Sequence, residues 1–347
     1  MKIVSVLCRN VLLGLVVTLS AAASADPIII KFSHVAAPDT PKGRAAEKFK
    51  QLAEQKTNGR VKVVIYPNSQ LYKDRKQMDA LQRGVVQMLA PSLSEFGPMG
   101  VPEFELFDLP YLFPDSTVLH RVMDGAIGKK LFAKLDAKGV TGLAFWDNGF
   151  KQMSANRPLR RVGDFAGLKM RVQPSQVLDA QIRALGAEPQ VLAFSDVRSA
   201  LQQGVVDGTE NPVSNFYTQK MHEVQTHLTI SNHGYLGYAV VTNKKFWNGL
   251  PSGIRGALTE AMRDATAFER TIAQRENDAA LEKVRAARTT QVYVLPESEY
   301  TAWREALLPV HVEFGEIIGK DLIQDVYEVA AQVEKEQRQA LGKKKKT

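Results

Sequence analysis

Cysteine is almost absent from this chain of 347 residues: the only one is Cys8. It lies in an N-terminal stretch with the layout of an export signal. Lys2 and Arg9 form a basic flank, Val11 to Leu19 a short apolar run, and Ala23-Ser24-Ala25 a cleavage pattern before Asp26. Cleavage after Ala25 leaves a periplasmic chain without thiols. That excludes thiol nucleophiles, structural disulfides and cysteine-ligated metals from the exported form. Long apolar runs are missing too. A membrane span needs about 20 such residues, and no stretch reaches that length. Neither G-x-S-x-G nor G-x-G-x-x-G occurs. His222 to His227 (HEVQTH) is one residue too long for H-E-x-x-H. Two histidines at i, i+5 lie about 140° apart around a helix, so both cannot face one metal. The net charge of +8 comes with no nucleic-acid-binding pattern, and four of its lysines, Lys343 to Lys346, form a terminal run that reads as a solvated, disordered tail. The expectation is no catalytic residue, no cofactor and no metal.

What is present describes a folded α/β protein. Apolar residues make up 44% of the chain and charged residues 24%, a globular balance, and the length predicts two domains. Ile28 to Phe32 and Val61 to Tyr66 read as strands flanking a helix over Arg44 to Thr57. A helix over Lys73 to Arg83 and a strand over Val85 to Ala90 follow, then a helix over Val118 to Lys138 and a strand over Val140 to Trp146. This alternation predicts a parallel sheet. Ala80 to Val86 (ALQRGVV) is echoed by Ala200 to Val206 (ALQQGVV), which predicts two similar lobes facing one cleft. Trp146 to Lys151 leaves the first lobe and His227 to Thr242 returns to it, so these two segments are the expected hinge. Ile254 to Arg288 reads as one long helix, and Pro309 should break the helical region after it.

Ligands of open α/β sheets bind beyond the carboxyl ends of the strands. Arg171 falls at such an end, Phe194 and Asn211 close the next two strands, and Ser92 and His34 occupy the matching tips in the first lobe. Lys151 sits just past the first crossing. A guanidinium grips a carboxylate with two parallel bonds, and an ammonium adds a point charge for a second one. The set predicts that a small organic acid is bound and left unaltered. Each residue also has a plainer reading: an ion pair for Arg171, core packing for Phe194, a turn for Asn211, a satisfied loop histidine for His34.

The segments KFSHVAAPDTPKG, YPNSQLYKD, LKMRVQPS, AFSDVRSALQQGVVDGTENP and NHGY together resemble the DctP-type solute-binding proteins, the extracytoplasmic receptors of tripartite ATP-independent periplasmic (TRAP) transporters. The resemblance implies an α/β, two-lobe periplasmic-binding-protein-like fold with hinge strands and a long lobe-spanning helix. On this view residues 26–148 plus 237–275 form lobe one. Residues 149–236 plus 276–330 form lobe two with the spanning helices, and 331–347 the helix end and basic tail. It also implies a carboxylate-binding arginine at Arg171, a second basic position at Lys151, an aromatic at Phe194, an asparagine at Asn211 and a lobe-one contact at Ser92, with Tyr235 of NHGY as a further contact. Ser92 combined with Lys151 is similar to the branch for C4-dicarboxylates such as succinate, fumarate and malate. The implied partners are one small and one large membrane subunit, with the receptor itself a monomer. Another carboxylate remains open as the ligand, and so does an exported hydrolase.

Overall fold

The structure is a computed structural model that describes residues 26–344. The expected export signal lies outside those residues, as does the end of the basic run. Helix continues through Lys344, so the part of that run within the described residues is not a coil. No helix among the described residues is long and apolar enough to cross a membrane.

Among the described residues nine strands form one sheet: β1 (Ile28–Ser33), β2 (Val61–Tyr66), β3 (Met88–Leu89), β4 (Val140–Ala155), β5 (Lys169–Val172), β6 (Glu188–Val191), β7 (Gly208–Asn211), β8 (His227–Asn243) and β9 (Gln291–Val294). Their order is β2-β1-β3-β8-β4-β7-β5-β6, with β9 beside β8. The expected parallel pairing holds for β1 with β2 and β3, and for β5 with β6 and β7. The two central strands, β4 and β8, run antiparallel to each other, β8 also to β3 and β4 also to β7, while β9 joins β8 in parallel, so the sheet is mixed.

Those central strands are far longer than the short segments the sequence suggested. β4 continues from lobe one through Trp146 into lobe two, and β8 returns along it. Their register shifts between Gly142 and Ala144, Asp147 and Gly149, and Lys151 and Met153. Bulges of this kind bend and twist a ribbon, which is what a strand shared by two lobes requires. Gly149 takes a φ of +137°, and a Cβ there would lie 2.8 Å from Asn277 Nδ2, so both conformation and space demand glycine.

The heptad echo is structural. At both copies the glycine turns left-handed, at φ +74° for Gly84 and +70° for Gly204. The following valine N–H donates back to the alanine carbonyl at 2.9 Å, Val85 to Ala80 and Val205 to Ala200. This six-to-one bond is the Schellman end of a helix, which leaves the chain aimed into the sheet. The third expected helix is split: Gly125 separates Ser116–Asp124 from Ala126–Leu135. The strand expected over Val85 to Ala90 pairs only at Met88 and Leu89.

Each lobe packs apolar side chains on both faces of the sheet, because successive strand residues point to opposite sides. Met88 and Val240 join the cluster around Phe49, while their neighbours Leu89 and Val241 join the one around Phe104 and Phe145. In lobe two, Met170 and Val172 pack against Trp303, and Leu201 and Phe216 fill the other face. The helix Ser252–Ala287 spans both lobes. Ile254, Leu258 and Met262 enter the core of lobe one, and Ala280 and Val284 that of lobe two. Between them Asn277 donates to the Asn148 carbonyl on β4 and accepts from the Ser214 N–H, tying the helix to the crossing.

Candidate functional site

The parallel strands of both lobes end at one place. Arg171 stands near the end of β5, Asn211 ends β7, and Phe194 follows β6. From lobe one come Ser92 just after β3, Lys42 in the first turn of the helix Pro41–Lys56, and Asp74 at the start of the helix Asp74–Gln82. These six, with Tyr238 and Asn215 among others, line a cavity of about 310 Å³ of space not filled by atoms, any open water at its mouth included. The space that the centre of a water-sized sphere can reach is only about 20 Å³, far below the roughly 300–1,000 Å³ typical of small-molecule sites, so the cavity must widen to admit a ligand.

Arg171 is buried, 2% exposed. Its Nε and Nη2 both donate to the Leu192 carbonyl, at 3.0 and 2.8 Å, and its guanidinium carbon lies 5.9 Å from the centre of the Phe194 ring. One edge of the fork is thus fixed by the backbone, and Nη1 has no hydrogen-bond partner among the described residues. No carboxylate comes within ion-pair distance of Arg171 among those residues. A buried cation without a counter-ion is costly. Burial pushes its pKa below the usual value, against the pull of Asp74, Glu210 and Glu95.

Lys42 is the second such group. It is fully buried, its Nζ donates to the Ala90 carbonyl at 3.2 Å, and it sits 3.7 Å from the centre of the Tyr238 ring. Burial pushes its pKa down to about 7, opposed by Asp74 and Glu95. Nearby Glu95 is pushed up to about 8, by burial first and then by Asp74. Asp74 itself is engaged: its Oδ2 accepts the Phe194 N–H at 2.7 Å. Beside it Lys73 pairs with Asp196 at 2.6 Å. Both contacts join lobe one to lobe two across the mouth of the cavity, so the lobes stand closed over it. Two wider grooves on the outside of the protein, at Lys130 to Leu322 and around Ser175 and Phe314, contain no buried unpaired cation among their lining residues.

The structure brings together four of the seven residues expected in the site: Arg171, Phe194, Asn211 and Ser92. It places the other three elsewhere. Lys151 is not on the cavity wall. Its Nζ is bound to Glu210 at 2.7 Å, with Asp108 at 3.9 Å, inside the crossing. Burial drives Glu210 up, yet Lys151 and His233 outweigh it and hold the carboxyl down at about 2. Lys151 therefore neutralises an internal acid and has no charge left for a ligand. Replacing Lys151 with methionine leaves Glu210 and Asp108 buried with less compensation. The expected cost is about 3–5 kcal/mol of stability, read as a lower urea midpoint, and an unchanged midpoint contradicts this role. Tyr235 donates to Asp147 Oδ1 at 2.7 Å and packs on Phe113 and Phe150, which makes it part of the hinge core. His34 is buried beside Phe32, with neither ring nitrogen bonded among the described residues. Burial, then the charge of Lys42, push it down to about 3, so it stays neutral. Its neighbours Val35 and Ala36 line the cavity instead.

Lys42, Asp74, Asn215 and Tyr238 were missed. For Lys42 a signal existed. It precedes Ala45, Ala46 and Phe49 by three, four and seven residues, on the stripe that the helix buries. A lysine on a buried stripe is out of place unless it faces something charged.

Residues 32–316 match the family described as bacterial extracellular solute-binding protein, family 7. The chain is 59% identical over 319 residues to the C4-dicarboxylate-binding periplasmic protein DctP of Rhodobacter capsulatus, covering 92% of this chain and 96% of that protein. Among solved structures, a TRAP periplasmic solute-binding protein from Sulfurospirillum deleyianum with bound succinate superimposes with a TM-score of 0.85. It is 45% identical and covers 87% of this chain and 99% of that one. Another, from Pseudomonas aeruginosa with bound L-malate, gives 0.81 at 41% identity, over 83% of this chain and all of that one.

Proposed function

Because the chain belongs to the family 7 bacterial extracellular solute-binding proteins, we propose that it is a periplasmic receptor that binds a C4-dicarboxylate and delivers it to a TRAP transporter. The observation that carries the ligand class is Arg171: a buried guanidinium with no carboxylate within ion-pair distance among the described residues, one edge fixed by Leu192, walling a small cavity between two lobes. The ligand docks on Arg171 in lobe two, with Phe194 against the guanidinium and Asn211 and Ser92 as polar neighbours. Lobe one then closes, water leaves, and the charge pair strengthens in the drier surroundings. A ligand shifts the balance between open and closed only by its better affinity for the closed form. Nothing in this cycle makes or breaks a covalent bond, and the acid is released as it was bound.

The division at the crossings is part of the proposal: residues 26–148 with 237–275 move against 149–236 with 276–330. The chain is exported and cleaved after Ala25, works as a monomer, and hands its ligand to a small and a large membrane subunit. Succinate, fumarate and malate are the preferred acids, as the succinate- and malate-bound relatives support. A thermal-shift panel of organic acids tests this: C4-dicarboxylates raise the melting temperature by several degrees and are recovered intact. A larger shift with aromatic or sugar acids, or turnover of any acid, contradicts it.

A further inference from the structure

The receptor reading accounts for one buried cation, and among the described residues the cavity has two. Arg171 belongs to β5 in lobe two, whereas Lys42 belongs to the first helix of lobe one, and both line the same cavity. Lys42 is buried as completely as any residue in the core. Its ammonium touches one carbonyl and one aromatic face, Ala90 and Tyr238, and makes no ion pair among the described residues. Asp74, the one carboxylate lining the cavity among the described residues, already accepts the Phe194 N–H. Nor is Lys42 free to withdraw to water, because its helix is pinned at this end. Thr40 caps the Gly43 N–H at 3.1 Å, and a Cβ on Gly43 would lie 2.4 Å from the Ala37 carbonyl, so the first turn is pressed against the preceding loop.

We propose that Lys42 is the residue that selects dicarboxylates: it receives the second carboxylate of the ligand, so that only a diacid bridges Arg171 of lobe two to Lys42 of lobe one. A monoacid docks on Arg171 and leaves Lys42 buried and unpaired when the lobes close, so closure is disfavoured. Selection and closure are then one event, since the second charge of the ligand joins the lobes. The lowered pKa of Lys42 fits a cation that awaits a partner. An ammonium also suits the distal end of ligands of differing shape, because a point charge imposes no plane on the carboxylate. This inference rests on the receptor reading and sharpens it.

The test compares succinate with succinamate, its monoamide of nearly equal shape, by calorimetry at pH 6.5. The wild type binds succinate at least about 30-fold more tightly, within the range of one charge-assisted contact. In Lys42→Met the two ligands differ by less than about threefold and succinate is the one that loses, while Lys42→Arg keeps most of the preference. Small-angle scattering shows compaction on adding succinate to the wild type and none with succinamate. If the wild type binds succinamate within threefold of succinate, or Lys42→Met keeps the preference, the role of Lys42 is refuted. The wild-type comparison decides even if Lys42→Met does not fold. Should succinate bind with full dependence on Arg171 and none on Lys42, only this inference fails. Should no C4-dicarboxylate bind the wild type, the receptor reading fails and this falls with it.

Discussion

Replacing Arg171 with alanine weakens succinate binding by about 30- to 1,000-fold or more, the 2–5 kcal/mol expected when one partner of a buried charge pair is removed. The guanidinium is 2% exposed, held by the Leu192 carbonyl, and matched by no protein carboxylate within ion-pair distance among the described residues. An isolated buried charge is costly, and a bound anion relieves that cost. Arg171→Lys is expected to fail nearly as badly. Leu192 takes two donors from one edge of the fork while the other edge stays available, and a single ammonium cannot serve both. The fold should survive, because Arg171 bonds only one carbonyl. Calorimetry with succinate measures the loss, and urea unfolding checks stability. Affinity within threefold of wild type removes Arg171 from the site.

Succinate affinity also falls as pH rises from about 6.5 to 9.5. Above about pH 6.5 both ligand carboxylates are largely ionised, since carboxyl groups titrate near 4–5 and the second of a short diacid about one unit higher, so the change belongs mainly to the protein. Lys42 titrates near 7 in the ligand-free cavity, because burial disfavours its charge. A bound carboxylate favours the ammonium and raises that value. A group whose pKa is higher in the bound state contributes affinity that is fully present below its free value and is lost as pH rises through the bound one. Glu95 acts in the same direction. It stays neutral up to about 8, and its ionisation above that adds a negative charge beside an anion site. Each group supports a loss approaching tenfold per pH unit within its own window. Three other groups near Lys42 do not interfere. His34 is held neutral, Tyr238 is pushed well above the range, and Arg171 keeps its charge. A flat affinity between pH 6.5 and 9.5 contradicts this picture of the cavity. Lys42→Met should flatten the part near pH 7 and leave the part near pH 8.

Much of the fold was legible because it follows from periodicity. The helices at Pro41 and Ser252 and the strands β1 and β2 come from apolar stripes with the right spacing. The repeated ALQxGVV segment reports a helix end that only glycine makes easily. The central strands were read as short because the polar Asp147, Asn148, Lys151 and Gln152 interrupt the apolar alternation of β4. Those residues are buried all the same. Asn277 and Glu269 of the long helix bind β4 backbone groups, and Glu210 neutralises Lys151. Partners far apart in sequence cannot be seen in a local pattern. The same blindness misplaced part of the site. A lysine near a strand crossing looks like a ligand contact until its acid, 59 residues away, is known. The lysine that does line the cavity, Lys42, falls just before the helix expected over Arg44 to Thr57, and so was left off its buried stripe.

The most direct test of the account is a crystal structure of the protein with succinate. It should show one intact succinate in the cavity between the lobes. One carboxylate should rest on the free edge of the Arg171 guanidinium and the other should point toward lobe one. Succinate lying in one of the outer grooves, or in the cavity but out of reach of Arg171, contradicts the central claim.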